Sequence, residues 1–151
     1  MTNSNGSLPR PTEAELELLR ILWEKQPATV REVYDALNEE RASGYTTVLK
    51  MLQIMTAKGL VVRDEANRAH VYRAAISQDA MQSKILKDLT VRLFSGSAAQ
   101  LALHALSIAP ANDRELDEIR ALLAQKTAGR DRELSPAASR KLQQTTNKQR
   151  G

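Results

Sequence analysis

The sequence contains no cysteine among its 151 residues. Disulfides and thiolate-bound metals are therefore excluded, which is typical of proteins from a reducing compartment. Residues 1–11 are polar and lack the apolar run of a secretory signal, and no segment approaches the roughly 20 apolar residues that cross a bilayer. We therefore expect a soluble, cytoplasmic protein without a membrane partner.

Residues that commonly build an active site are equally scarce. His70 and His104 are the only two histidines, and the sequence has no glycine-rich phosphate loop or metal-ligand cluster. Glu39-Glu40 and Asp117-Glu118 are adjacent carboxylates, but neighbouring residues on a helix point to different sides and do not form a catalytic pair. We expect no enzyme activity, cofactor or metal, with His70 at the surface and His104 packed.

Charge is distributed unevenly along the chain. Residues 1–40 contain four basic and eight acidic residues, whereas residues 41–75 contain six basic and two acidic ones. A further six basic and two acidic residues lie in 129–151. The excess of positive charge in 41–75 favours a surface that faces nucleic-acid phosphates.

The segment from Tyr45 to Lys58 predicts an amphipathic helix, which Gly59 ends because glycine tolerates the left-handed conformation. Its apolar face holds Val48, Met51, Leu52 and Met55. Its opposite face is short, polar and basic and holds Thr46, Lys50, Gln53 and Ala57. Taken alone, this pattern fits an ordinary surface helix as well as a helix that reads DNA, so its neighbours must distinguish the two.

Two shorter helices are predicted before this segment. Thr12 and Glu15 form a capping-box pattern at the first, and Thr29 and Glu32 repeat it at the second. The first has an apolar stripe of Leu16, Leu19 and Trp23, widened by Leu18 and Leu22. The second has an apolar side of Val30, Val33, Tyr34 and Leu37. Three short helices of this kind are the layout of a helix-turn-helix domain.

A β-hairpin is predicted directly after Gly59. Leu60–Arg63 and Ala69–Arg73 have strand character, and Asp64–Arg68 reads as the turn between them. A hairpin in this position converts the three-helix unit into a winged helix. Arg68 at the wing tip is expected to contact the DNA backbone or the minor groove, and the alternative is a solvated turn arginine.

Helical periodicity returns from Ser77 onwards. Three helices over about 50 residues have too small an interior to be stable alone, so we expect two copies to associate through them. The alternative is simple packing onto the winged helix. The expected dimerisation residues are Leu86, Leu89, Leu93, Phe94, Leu101, Leu116, Ile119 and Leu123.

The predicted fold is mainly α with a small β-hairpin, a winged helix-turn-helix domain followed by a helical dimerisation region. We expect a disordered N-terminal tail over 1–11 and the DNA-binding domain over 12–75. The dimerisation domain follows over 76–128. The polar and basic composition of 129–151 predicts a disordered tail that adds non-specific affinity for DNA.

Five segments of the chain resemble the penicillinase-repressor family (BlaI/MecI type). They are Leu16 to Trp23, Thr29-Val30-Arg31-Glu32-Val33, Tyr45-Thr46-Thr47-Val48, Lys58-Gly59-Leu60-Val61 and Asn67 to Tyr72. The resemblance implies a bacterial homodimeric repressor that binds a palindromic operator with one winged helix per half-site. It also implies a helical C-terminal region that holds the dimer together. In the best-known members, derepression follows proteolytic cleavage in that region, so a regulatory protease is a possible partner.

Three positions depart from the family pattern. The family's cleaved Asn-Phe pair is replaced by His104-Ala105, which argues against cleavage by that route. The paired cysteines of copper-responsive relatives are absent, which excludes copper sensing of that kind. Ile54 occupies a position where relatives often have arginine or another polar residue, so one phosphate contact is not expected here.

The predicted DNA-binding residues lie mainly on the third helix. Thr46 and Thr47 are expected to contact bases or phosphates, while Lys50 and Gln53 reach guanine and adenine edges. Leu49 is expected to pack on a thymine methyl, and Tyr45 belongs to the same surface. Thr29 and Arg31 are expected to hold phosphates at the start of the second helix. The alternative is a winged helix that binds protein rather than DNA, because a fold does not fix its function.

Overall fold

A computed structural model describes residues 9–66 and 68–146. The helices and strands, in chain order, are α1 (Glu13–Lys25), β1 (Ala28–Thr29), α2 (Val30–Glu40), α3 (Tyr45–Lys58), β2 (Val61–Asp64), β3 (Val71–Ala74), α4 (Gln78–Leu93), α5 (Ala98–Ile108) and α6 (Asp113–Thr146). The chain divides into two compact units, residues 1–97 and 98–151. Within the described residues, no helix has both the length and the apolarity that a membrane span requires.

The first unit has one hydrophobic core, built from α1, α2, α3, the sheet and the start of α4. The α3 side of this core is Val48, Leu52 and Met55, all fully buried. Met51 packs against them while partly exposed. The apolar face predicted for α3 is therefore the face that holds this helix in the fold.

The end of α3 follows the predicted glycine signal. Gly59 has a φ of 79°, a left-handed conformation that costs a residue without a side chain little. Its N–H donates to the Thr56 carbonyl at 3.1 Å, and the N–H of Leu60 donates to the Met55 carbonyl at 2.9 Å. This pair of hydrogen bonds ends α3 and turns the chain into the wing.

The buried face of α1 differs from the predicted stripe. Leu18, Leu19, Ile21 and Leu22 are buried, whereas Leu16 and Trp23 are only partly buried at the edge of the core. The Trp23 indole N–H donates to the Ile76 carbonyl at 2.9 Å. Trp23 thus lies where its ring packs on the core and its N–H still finds an acceptor.

The capping box predicted at α1 is only half present. The Thr12 hydroxyl oxygen accepts from the Glu15 N–H at 3.2 Å, as expected. The Glu15 side chain is instead buried and accepts from Lys58 Nζ at 2.5 Å. A buried carboxylate needs a compensating charge more than the cap needs a second hydrogen bond. This ion pair joins the start of α1 to the last turn of α3.

The sheet has three antiparallel strands in the order β1-β3-β2. The prediction contained the hairpin β2–β3, with strand ends one or two residues from the observed ones, and missed β1. Ala28 and Arg63 both pair with Tyr72, which is buried at the centre of the sheet. A two-residue strand is too short to show a period in the sequence, so β1 carried no local signal.

The C-terminal half differs from the predicted domain limits in two respects. The first unit extends to Ser97, beyond the predicted limit at residue 75, because Met81 of α4 is buried in its core. In the second unit, α6 continues through residues 129–146, where we predicted a disordered tail. The alanine, arginine, lysine, glutamine and leucine residues of this range favour helix. Residues 1–8, Asn67 and 147–151 lie outside the described residues.

Candidate nucleic-acid interface

An open cleft lies between the start of α2, the exposed side of α3 and the wing. Five of the eight residues predicted to bind DNA line it together: Thr29, Arg31, Tyr45, Gln53 and Arg68. They come from three separate elements of the chain. Leu49, predicted to meet a thymine methyl, also lines the cleft and is half-buried.

The other three predicted residues, Thr46, Thr47 and Lys50, are exposed on α3 but are not among the residues that line the cleft. Thr46 and Lys50 share the outer face of α3 with Gln53, which is also exposed. This face and the cleft therefore adjoin at Gln53 and form one continuous surface.

The start of α3 is held against α2 by two tyrosines. The rings of Tyr34 and Tyr45 meet edge to face, with their centroids 5.6 Å apart and their planes at 67°. The Arg31 guanidinium carbon lies 5.4 Å from the Tyr34 ring centroid. Arg31 also pairs with Asp35, one turn further along α2, with Nε 3.1 Å from Oδ1. Arg31 is thus held at the mouth of the cleft by Tyr34 and Asp35.

Thr29 is engaged as the cap of α2. Its hydroxyl oxygen accepts from the Glu32 N–H at 3.2 Å, and its own N–H donates to the Glu32 carboxylate at 2.7 Å. The Thr29 hydroxyl also donates to this carboxylate at 3.1 Å. The hydrogen bonds that the carboxylate accepts from the backbone N–H and the hydroxyl of Thr29 lower the pKa of Glu32. The groups of α2 that can hold a phosphate are therefore the first-turn N–H groups of Val30 and Arg31, which have no intrahelical acceptor.

We expect Thr29→Ala to lower the free energy of unfolding at neutral pH by about 1 kcal/mol, because the cap of α2 is lost. A carboxylate with a lowered pKa stabilises the folded state above its unfolded pKa, and this contribution disappears as the pH falls through the folded pKa. The variant should therefore lose less stability than the parent between neutral and acidic pH. Urea titrations at pH 7 and below pH 4 measure both effects, and Thr46→Ala on the exposed face of α3 is the control.

The wing brings four residues into the cleft that the sequence analysis did not select as DNA-binding, Arg63, Ala69, His70 and Tyr72. Arg63 pairs with Glu65, and the hydrogen bond to this carboxylate raises the pKa of Arg63. Alternation along β2 places Arg63 on the same side as the buried Val61, opposite Tyr72 in the register. Because the core ends there, its side chain reaches the cleft. The alternation predicts the side of the strand on which Arg63 lies, but the sequence does not show that the core ends there, which depends on the pairing of β2 with β3.

The turn between α2 and α3 is tied to α1. Arg41 follows the last residue of α2, and its Nε donates to both Glu17 carboxylate oxygens at 3.1 Å. The hydrogen bond to Glu17 raises the pKa of Arg41. Asn38 accepts from the Ser43 N–H at 2.9 Å through its side-chain oxygen. Together these contacts fix the angle at which α3 leaves α2.

The residues predicted to mediate dimerisation carry apolar surface that the single chain leaves open. Leu86, Leu89, Leu93 and Leu123 are exposed, whereas Phe94, Leu101, Leu116 and Ile119 are partly buried. Within the second unit, an apolar groove between α5 and α6 is lined by Leu106, Ile119 and Leu122. Residues 98–108 of α5 include no buried residue, and His104, predicted to be packed, is exposed there with Ala105.

In the described part of the chain, no group of three or more histidine or acidic residues is arranged to hold a metal ion. The cleft is instead formed by backbone N–H groups, arginines and aromatic and amide side chains. Such groups are suited to binding phosphates and base edges.

Three helices, a short β1 and a hairpin behind α3 define this protein as a winged helix-turn-helix protein, which confirms the predicted fold class. The chain belongs to the penicillinase repressor family, whose model matches residues 11–125. The family resemblance seen in the motifs is therefore confirmed.

The chain is similar to two regulators and to one solved structure. The transcriptional regulator BlaI of Mycobacterium tuberculosis is 32% identical over 126 residues, covering 82% of this chain and 90% of the relative. The penicillinase repressor of Bacillus licheniformis is 24% identical over 117 residues, covering 77% of this chain and 91% of the relative. A solution structure of the monomeric form of Bacillus licheniformis BlaI in complex with the blaP half-operator has a TM-score of 0.44 and 24% identity, and covers 49% of this chain and 90% of that one.

Proposed function

We propose that the protein is a bacterial transcriptional repressor that binds a palindromic operator in the cytoplasm. It acts as a homodimer, with α3 of each protomer in the major groove of one half-site. The observation that carries the proposal is the convergence of Thr29, Arg31, Tyr45, Gln53 and Arg68 on one cleft beside the exposed face of α3. The family membership and the names of its relatives, which are regulators and repressors, support the same function.

The arrangement suggests a division of contacts along the surface. The outer face of α3, with Thr46, Thr47, Lys50 and Gln53, would meet base edges, where lysine can donate to guanine and glutamine can pair with adenine. The cleft beside it would take the sugar-phosphate backbone, held by the first-turn N–H groups of α2, Arg31 and the wing arginine Arg68. Base contacts would set the sequence preference and phosphate contacts the position on the duplex.

The exposed leucines of α4 in the first unit, and Leu123 with the groove between α5 and α6 in the second unit, each offer apolar surface to a second copy. Soluble monomers rarely leave large apolar surface open. A symmetric dimer would cover it and would place two copies of α3 on half-sites about one helical turn apart. The dimer would then repress by excluding polymerase from the promoter. A regulatory protease, implied by the family, would need a cleavage site other than the exposed His104-Ala105.

Selection of bound sequences from a random pool of duplex DNA tests this function directly. The purified protein should enrich a palindrome, and sedimentation at micromolar concentration should show a dimer. An unenriched pool, together with binding to random duplex that does not respond to salt, would favour a winged helix that binds protein instead. A footprint over one half-site only, or a monomer, would contradict the dimer.

We expect Lys50→Ala to weaken binding to the selected palindrome by roughly 1 to 3 kcal/mol per half-site and to relax the preference at one base position, because a base contact is lost. Arg68→Ala should instead weaken binding to all sequences alike and reduce the salt dependence by about one charge. Fluorescence anisotropy on the palindrome, on single-base variants of it and on random duplex separates the two outcomes. Equal affinity and preference for Lys50→Ala and the parent would show that α3 is oriented differently.

A further inference from the structure

Two of the three arginines that line the cleft are held by carboxylates. Arg31 pairs with Asp35, with 3.1 Å between Nε and Oδ1. Arg63 pairs with Glu65 across the start of the wing turn. Neither Asp35 nor Glu65 is itself among the residues that line the cleft. The acids therefore approach these arginines from outside the surface that a duplex would occupy.

These ion pairs compete with the phosphates of any bound duplex. Both pairs are solvent-exposed, and an exposed ion pair is worth only about 0.2 to 1 kcal/mol, so a well-placed phosphate can replace the carboxylate. A phosphate in a sliding, non-specific complex is not held in a fixed position beside either arginine. Replacement of the carboxylate by a phosphate is therefore least favourable in complexes in which α3 is not aligned with its preferred base sequence.

We propose that Asp35 and Glu65 are specificity-determining residues. They keep Arg31 and Arg63 paired in non-specific complexes and release them to phosphates once base contacts from α3 have fixed the register. The consequence is low affinity for random DNA with little loss of affinity for the operator. This inference rests on the proposed binding of DNA and extends it to the residues that set the ratio between specific and non-specific binding.

Charge-neutral variants test the inference. Asp35→Asn and Glu65→Gln keep the size of each side chain and remove its charge. At about 0.15 M salt, each should bind a random-sequence duplex roughly three- to sixfold more tightly, and the slope of log K against log salt should steepen by about 0.9 per released arginine. Binding to the selected palindrome should tighten less, so that the specificity ratio falls, and it should fall further in the double variant.

Two controls separate release of an arginine from a general change of charge. Asp117→Asn removes the same charge from another exposed ion pair, Arg120–Asp117, which lies on α6, and Asp117 does not line the groove between α5 and α6. It should leave binding to random duplex unchanged. In an Arg31→Ala background, Asp35→Asn should lose most of its effect, because no cleft arginine remains for it to release.

The outcomes are distinct. If Asp35→Asn tightens binding equally with and without Arg31, or if both cleft variants behave like Asp117→Asn, the proposed role of the acids is wrong although the protein binds DNA. If the parent protein shows no salt-dependent binding to any duplex, the proposed function fails and this inference fails with it. Thermal melting of each variant confirms that the substitutions leave the fold intact.

Discussion

Replacing either Leu93 or Leu123 by glutamate is expected to convert the protein from a dimer into a monomer at micromolar concentration. In the single chain these side chains are 70% and 58% exposed, so neither substitution should disturb the fold of one protomer. In a symmetric dimer each substitution removes an apolar contact twice, and burying one leucine contributes about 1.5 to 3 kcal/mol. The dimer would also have to bury unpaired carboxylates, which is more costly still.

We therefore expect the dissociation constant of the dimer to rise by at least about 100-fold for either variant, since 1.4 kcal/mol corresponds to a factor of ten. Affinity for the full palindrome should fall towards that for a single half-site, whereas affinity for the half-site should remain unchanged. Sedimentation velocity and anisotropy on duplexes with one and two half-sites measure these effects. Gln125→Glu is the matched control, because it places the same charge at an exposed position of α6 outside the predicted stripe.

These measurements distinguish dimerisation through the C-terminal helices from packing of these helices within one chain. If both leucine variants remain dimeric, the copies associate through another surface. If the parent protein is itself a monomer at this concentration, the proposed homodimer is wrong. If the variants lose their helical signal or melt early, these leucines support the fold of one chain, which is the packing alternative that the sequence left open.

The parts of the fold that the sequence predicts well are those controlled by local periodicity and by caps. The two faces of α3, its end at Gly59 and the capping box of Thr29 and Glu32 each depend on residues within one or two helical turns. Such short-range patterns carry their physical cause in the sequence itself. The hairpin was predicted for the same reason, with strand ends one or two residues from the observed ones.

The features that the sequence did not reveal depend on contacts between distant residues. Glu15 looks like half of a capping box until Lys58, 43 positions away, takes its carboxylate. Arg63 joins the cleft only because β2 pairs with β3 and the core ends beside Tyr72. Met81 draws α4 into the first unit by packing against residues far from it in sequence. None of these contacts can be predicted from a sequence window of about ten or fifteen residues.

In the proposed site, one face of α3 stabilises the fold and the opposite face binds DNA. Leu52 provides the strongest test of this division. Leu52 is fully buried beneath the helix, so Leu52→Ala should lower the free energy of unfolding by about 2 to 5 kcal/mol through lost burial and a cavity. For a unit of this size, the loss corresponds to a melting temperature lower by roughly 10 to 30 °C. Urea unfolding followed by the fluorescence of Trp23, the only tryptophan, measures the change.

Substitutions on the buried and the exposed face of α3 should have opposite effects on stability and on DNA binding. Below its lowered melting temperature, Leu52→Ala should bind the selected palindrome almost as tightly as the parent, since Leu52 has no surface to present to DNA. Lys50→Ala should do the reverse, with lost affinity and unchanged stability. Ile54→Ala is the matched apolar control, because Ile54 is 43% exposed on the same helix and should cost less than about 1 kcal/mol. If Leu52→Ala lost operator affinity while fully folded, or if Lys50→Ala unfolded the protein, stability and recognition would not be divided between the two faces of α3.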